Sequence, residues 1–194
     1  MLNLLIFGAP GSGKGTQSAF IKAHYNLDHV STGDMLRGEI KAGSEVGKKA
    51  AAIIERGALV SDDIISEMLR KRVSGRNTGN DGFIFDGYPR TIRQAETLEE
   101  ILSDHGTAVT ALVELRVPEE ELITRIIERG KISGRADDNE TSVKERLSVY
   151  HRETEPVIDF YKRQGKVIVI DGTGSIEEIT RRITNGIDAF VRKA

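Results

Sequence analysis

A short, mainly apolar run, Leu2–Phe7, leads directly into Gly8-Ala9-Pro10-Gly11-Ser12-Gly13-Lys14-Gly15-Thr16 and then into a helical pattern through Ala19, Phe20 and Ala23. A buried strand that passes into a helix through a glycine-rich turn has few ways to fold, because the two elements must pack on one another across a very short connection. Glycines let backbone N–H groups point inward where a Cβ would clash, and the helix brings its positive end to the same spot. The result is a cradle for phosphate oxygens. Gly11, Ser12, Gly13, Lys14, Gly15 and Thr16 are its candidate ligands: Lys14 supplies an ammonium for the outer phosphates, and the Thr16 hydroxyl can meet the phosphates or Mg²⁺.

The rest of the chain repeats the strand–helix alternation that builds a parallel sheet with helices on both faces. Further strands are expected at His29–Val30, Phe83–Phe85, Val109–Val117 and Lys166–Ile170, the first and last of the long runs reading as strands buried on both faces. Ser175 and Glu178 form a capping box ahead of an apolar stripe through Ile176, Ile179, Ile183, Ile187 and Phe190, expected as core. Ser61, Asp62 and Asp63 open another helix whose buried face is Ile64, Ile65, Met68 and Leu69. In segment 119–129, Leu122, Ile123, Ile126 and Ile127 share a face, Glu121 pairs with Arg125, and Gly130 is expected as the C-cap. Two stretches break the alternation: a helical one at 31–60 and a polar loop at 130–141.

Composition narrows the function classes. The chain has 194 residues, the length of one good domain, and no Cys, so thiolate catalysis, disulfides and sulfur-bound zinc are excluded. A net charge of -2 and a pI near 6.1 argue against nucleic acid as a partner, since phosphate-backbone binding needs a basic excess. No apolar run is long enough to span a membrane and no basic region precedes the first one, so the chain reads as cytoplasmic with no membrane partner.

A carboxylate at the end of a neighbouring buried strand would complete a metal–nucleotide site, and Phe83-Ile84-Phe85-Asp86 has that form, with Asp86 holding Mg²⁺ through water. One departure from the general P-loop stands out: Gly15 follows Lys14, where Ser or Thr is usual.

With these residues in view, the whole chain resembles the adenylate kinases, of the nucleoside monophosphate kinase family, in their short-lid form. The resemblance is carried by residues 8–17 with their Gly-Lys-Gly-Thr, by Ser-Thr-Gly-Asp-Met-Leu-Arg at 31–37, by Asp-Gly-Tyr-Pro-Arg-Thr at 86–91 with Gln94, and by Ser-Gly-Arg-Ala-Asp-Asp-Asn at 133–139. It implies an α/β fold: a P-loop NTPase-like core of five parallel strands flanked by helices (1–30, 61–127 and 139–194), a helical NMP-binding insertion (31–60) and a short lid (128–138).

The resemblance also implies roles. Thr32 and Gln94 would meet the adenine of AMP and Arg37 and Arg90 its phosphate, with Ala58, Leu59, Val60, Gly87, Tyr88 and Pro89 lining that site. Arg129, Arg135 and Arg146 would gather round the transferring phosphoryl, Arg129 on the ATP side and Arg135 and Arg146 also on the AMP side. Asp137 and Asp138 would close the lid, and Gly174 would touch the ATP base. Lys14 and the arginines at 90, 129, 135 and 146 would be the catalytic set. Transfer of this kind gathers the negative charge of two nucleotides in one dry cleft, and guanidinium groups offset it without losing their own charge on burial. The implied reaction is ATP + AMP giving two ADP with Mg²⁺ as cofactor, carried out by a monomer; His29 and His151 are left as structural or surface groups.

Two alternatives stand beside it. A UMP/CMP kinase is disfavoured by Thr32, where that subfamily has Ala, by Thr91, where it has Asn, and by Gln94. A nucleotide-binding module without turnover would be expected to have lost Lys14, Asp86 or one of the arginines, and a GTPase to carry a guanine-reading Asn-Lys-x-Asp; neither holds here.

Overall fold

The computed structural model describes residues 1–56, 58–75, 79–133 and 140–193. In chain order they form β1 (Leu2–Phe7), α1 (Lys14–His24), β2 (Leu27–Ser31), α2 (Thr32–Ala42), α3 (Glu45–Glu55), α4 (Asp62–Ser74), β3 (Gly82–Asp86), α5 (Ile92–Ser103), β4 (Ala111–Arg116), α6 (Glu119–Ser133) and α7 (Glu140–Val149). A π-helical turn at Tyr150–Thr154 then runs into α8 (Glu155–Lys162), followed by β5 (Val167–Asp171) and α9 (Ile176–Val191).

The described strands make one sheet in the order β2-β3-β1-β4-β5, and every pairing is parallel. Alternate side chains of the central strands go to opposite layers. Leu5, Phe7, Val30, Phe83 and Phe85 pack under α4, α5 and α8, while Leu4, Ile6, Leu27, Ile84 and Val113 pack under α1 and α9. The polar residue inside β1 is fully paired: Asn3 Nδ2 donates to Thr107 Oγ1 and the Ala108 carbonyl, and its Oδ1 accepts from the Phe83 N–H. A smaller cluster of Ala9, Leu122, Ile126, Val143 and Leu147 joins α6 and α7 to the glycine-rich loop.

All five expected strands are present, and α2 and α3 fill the helical excursion. Ser142, at the start of α7, donates to the Glu55 carbonyl at the end of α3 (2.8 Å), so the helical excursion is tied to α7.

The helix expected through Ala19, Phe20 and Ala23 is present, and three other local expectations are corrected. α1 buries Gln17, Ser18 and Ile21 and leaves Ala19, Phe20 and Ala23 exposed. Its polar residues are satisfied inside: Gln17 Nε2 donates to the Ile176 carbonyl, Thr180 Oγ1 donates to Gln17 Oε1, and Ser18 Oγ donates to the Lys14 carbonyl. β5 is an edge strand with Val169 half exposed, not a strand buried on both faces. Gly130 does not cap α6, which continues through it to Ser133, so residues 130–133 are helix rather than loop; one interior glycine costs only about 1 kcal/mol. Ile176 and Ile127 sit at the margins of their stripes and are largely exposed, whereas Ile179, Ile183 and Ile187 are buried against the sheet.

Ile183 carries the prediction for the fold. It is fully buried between α9 and the sheet, so Ile183→Ala should lower stability by about 2–5 kcal/mol in urea unfolding.

Candidate active site

The strand order reverses direction on either side of β1, and in open parallel sheets the crevice beyond the carboxyl ends at such a point is where ligands bind. The register brings the functional segments into one row there. Asp86 of β3 lies beside Ile6 of β1 and Ser31 of β2, so the strand ends that carry the glycine-rich loop, Asp86 and Thr32 are neighbours. Together they floor a cleft of about 210 Å³.

The start of α1 lacks a capping side chain. α2, α3, α5 and α9 each carry a Ser or Thr side-chain cap, whereas α1 has neither a side-chain cap nor an acid in its first turn. Its N-cap residue is Gly13, at φ 89°, a left-handed conformation that favours glycine. The first N–H groups of the helix therefore have no capping side chain to meet them. Ser12 Oγ, buried within the loop, has no hydrogen-bond partner.

Lys14 stands at the centre of the cleft. Burial lowers its pKa from the ordinary 10.5 to about 8; Asp86 acts in the opposite sense, and the charges of Arg90, Arg146 and Arg129 depress it further. Those three arginines come from different places: the turn after β3, α7 and α6. All three line the cleft with Lys14. Asp86 Oδ2 would lie 3.6 Å from a Cβ placed at Gly15, so the carboxylate faces the space that this glycine leaves open.

The second half of the cleft lies between α2, α3, α4 and the turn after β3. Thr32 Oγ1 and Arg90 Nε both donate to the Gly87 carbonyl at 2.8 Å. Arg37 lines the cleft and is paired with Asp34, one helical turn away. Gln94 is almost fully buried, with Oε1 accepting from the Arg90 N–H (2.7 Å) and Nε2 donating to Asp62 Oδ1 (2.6 Å). Ala58, Leu59, Val60 and Gly87 also line this half.

Other expected residues stand off the cleft wall. Tyr88 and Pro89, joined by a cis peptide bond, are buried; the Tyr88 hydroxyl donates to the Gln94 carbonyl (3.0 Å) and is pushed up to about 12, mainly by burial. Thr16 is exposed on the first turn of α1, and Gly174 is exposed in the turn after β5. Ser12 and Gly13 lie within the loop and do not line the cleft. Arg135, Asp137 and Asp138 lie outside the described residues.

The structure adds residues that the sequence reading left out. His29 lines the cleft with Nε2 3.9 Å from Asp86 Oδ2, and His151 is a surface residue against Glu155. Leu36, Ile54 and Ile65 give the α2–α4 side an apolar wall. Their signal was present in the helical stripes of 31–60 and 62–74. The Asp34–Arg37 spacing was a second signal.

Comparison with known proteins places this arrangement. The family model described as "Adenylate kinase" matches residues 6–166. The chain is 53% identical over 188 residues to an adenylate kinase of Parabacteroides distasonis, covering 97% of this chain and 98% of that one. The chain belongs to the adenylate kinase family. Other members are similarly near: one from Porphyromonas gingivalis is 51% identical over 190 residues (98% of this chain, 97% of the relative), and one from Phocaeicola vulgatus is 50% identical over 188 (97% and 99%).

The depressed Lys14 pKa has a consequence for stability. Between about pH 8 and 10.5 the unfolded chain holds the Lys14 proton and the folded chain does not, so stability from this group grows as pH rises through that window and is lost as pH falls through 8. Lys14→Met, which removes the confined charge, should therefore raise stability at neutral pH by on the order of 1 kcal/mol, with the gain shrinking towards about pH 10 in urea unfolding.

Proposed function

We propose that this protein catalyses the reversible transfer of the terminal phosphoryl group of Mg·ATP to AMP, giving two ADP. The observation that carries this reading is the convergence of Lys14, Arg90, Arg129 and Arg146 on one cleft that opens on the uncapped start of α1 at one end and on the apolar wall and Gln94 at the other. A site for one triphosphate needs the first half only. The second half, with Thr32, Arg37, Gly87, Arg90 and Gln94, is furnished for a second nucleotide.

In this reading an oxygen of the AMP phosphate attacks the γ-phosphorus, a new P–O bond forms, and the bond from γ-phosphorus to the β,γ-bridging oxygen breaks. ADP leaves and the acceptor becomes ADP. The acceptor is already an anionic oxygen, so no side-chain nucleophile takes part, and catalysis lies in alignment and charge stabilisation. Gly11, Ser12, Gly13, Gly15 and Thr16 hold the ATP phosphates with Lys14, and Gly174 lies near the ATP base. Arg37 and Arg90 hold the AMP phosphate. Arg129, Arg146 and Arg135 neutralise the phosphoryl in flight. Thr32 and Gln94 read the adenine, and residues 58–60 and 87–90 shape its site.

The donor set suits Mg²⁺. Asp86 is a nearly buried carboxylate facing the open space at Gly15, and among the described residues no group of three His, Cys, Asp or Glu is placed to hold a metal unaided. Mg²⁺ keeps several waters and is commonly held by one or two carboxylates together with substrate phosphates, which matches a lone Asp86, aided by Thr16. When bound, the ion supplies charge neutralisation on the phosphates. Residues 31–60 act as the NMP-binding region and 128–138 as a lid that excludes water, which would otherwise accept the phosphoryl. The enzyme works as a cytoplasmic monomer with ATP and AMP as its partners.

A coupled assay with Mg·ATP and each of AMP, UMP, CMP and GMP tests the reading. Turnover with AMP well above the others is expected; preference for UMP or CMP reassigns the acceptor, and no turnover with any of them leaves only a nucleotide-binding module. Lys14→Met should lower kcat at least about 100-fold while the far-UV circular dichroism stays unchanged. Near-parental turnover in that variant removes Lys14 from the mechanism.

A further inference from the structure

Gln94 is held at both ends of its amide, and the two partners are chemically one-way. The backbone N–H of Arg90 can only donate, so it selects Oε1; an ionised carboxylate can only accept, so Asp62 selects Nε2. A flipped amide would set N–H against NH₂ and oxygen against carboxylate. Asp62 is itself fixed. It stands in the first turn of α4, and its second oxygen accepts from Thr91 Oγ1 (3.3 Å), the same hydroxyl that caps α5 by accepting from the Gln94 N–H (3.2 Å). Asp62, Thr91 and Gln94 thus close a triangle across the starts of α4 and α5.

We propose that Asp62 is a positioning residue for base selection, acting by locking the donor–acceptor order that Gln94 presents to the monophosphate cleft. With one hydrogen of Nε2 given to Asp62 and one lone pair of Oε1 given to Arg90, the amide retains one donor and one acceptor of fixed sense. A base edge with an amino group beside a ring-nitrogen acceptor, as in adenine, matches that order. An edge with a carbonyl beside a ring N–H, as in guanine or uracil, presents the reverse. Asp62 lies outside the cleft lining and acts through Gln94. The inference rests on the reading of Gln94 as the base contact.

The test compares Asp62→Ala, Asp62→Asn and Gln94→Leu in steady-state assays with AMP and GMP as acceptors. Asp62→Ala should raise KM for AMP about tenfold and reduce the AMP-over-GMP preference in kcat/KM by a similar factor, with kcat changed less than about threefold and KM for ATP unmoved. Asp62→Asn keeps an acceptor oxygen at the same place and should restore most of the preference. Gln94→Leu should lose it. Parental selectivity in Asp62→Ala alongside lost selectivity in Gln94→Leu overturns the role of Asp62 alone. Equal losses in the Ala and Asn variants overturn it too, because they make the acceptor oxygen irrelevant. Parental selectivity in Gln94→Leu overturns the base-contact reading beneath both.

Discussion

The confinement of positive charge around Lys14 is the constraint on which the rest of the structure depends. Burial, more than the three arginines beside it, disfavours the Lys14 ammonium and lowers its pKa, and only a well-anchored framework can keep it there. The framework is the row of strand ends. β1 delivers the loop and Lys14, and β3 delivers Asp86 and, one turn later, Arg90, all from strands buried on both faces. Arg129 and Arg146 arrive on α6 and α7, which share a small apolar cluster of their own with the loop. The cations therefore fall into a set fixed by the sheet and a set carried by an arm.

The half of the cleft between α2, α3 and α4 follows a different principle. Its groups are tied to one another rather than left open: Thr32 and Arg90 to the Gly87 carbonyl, Arg37 to Asp34, Gln94 to Arg90 and Asp62. Such pairing holds side chains near one geometry before any ligand arrives and lowers the ordering cost of binding. It also means that a residue outside the cleft lining, Asp62, holds one that lines it, Gln94.

Legibility from sequence tracked how far each feature depended on neighbours. The strands and the glycine-rich loop were plain because burial and backbone geometry are written locally. β2 was visible only at its apolar centre, since Asp28 and Ser31 are polar yet buried. The burial of Gln17 and Ser18 on α1 was not legible, because Gln17 is satisfied by a helix far along the chain, which no window around it reveals. Gly130 looked like a stop because a single glycine is a weak signal that context overrides. Asp62 looked like an ordinary helix-start acid. Its link to Gln94 spans 32 residues and appears only when α4 and α5 are set side by side.

The glycine-rich loop has a second side. A Cβ at Gly11 would come within 2.7 Å of the Leu122 carbonyl and 2.8 Å of Ile126 on α6. The loop is thus a smooth bearing on which the arm carrying Arg129 rests. Loss of activity on adding a methyl group at Gly11 would therefore report a jammed bearing as readily as a spoiled phosphate contact.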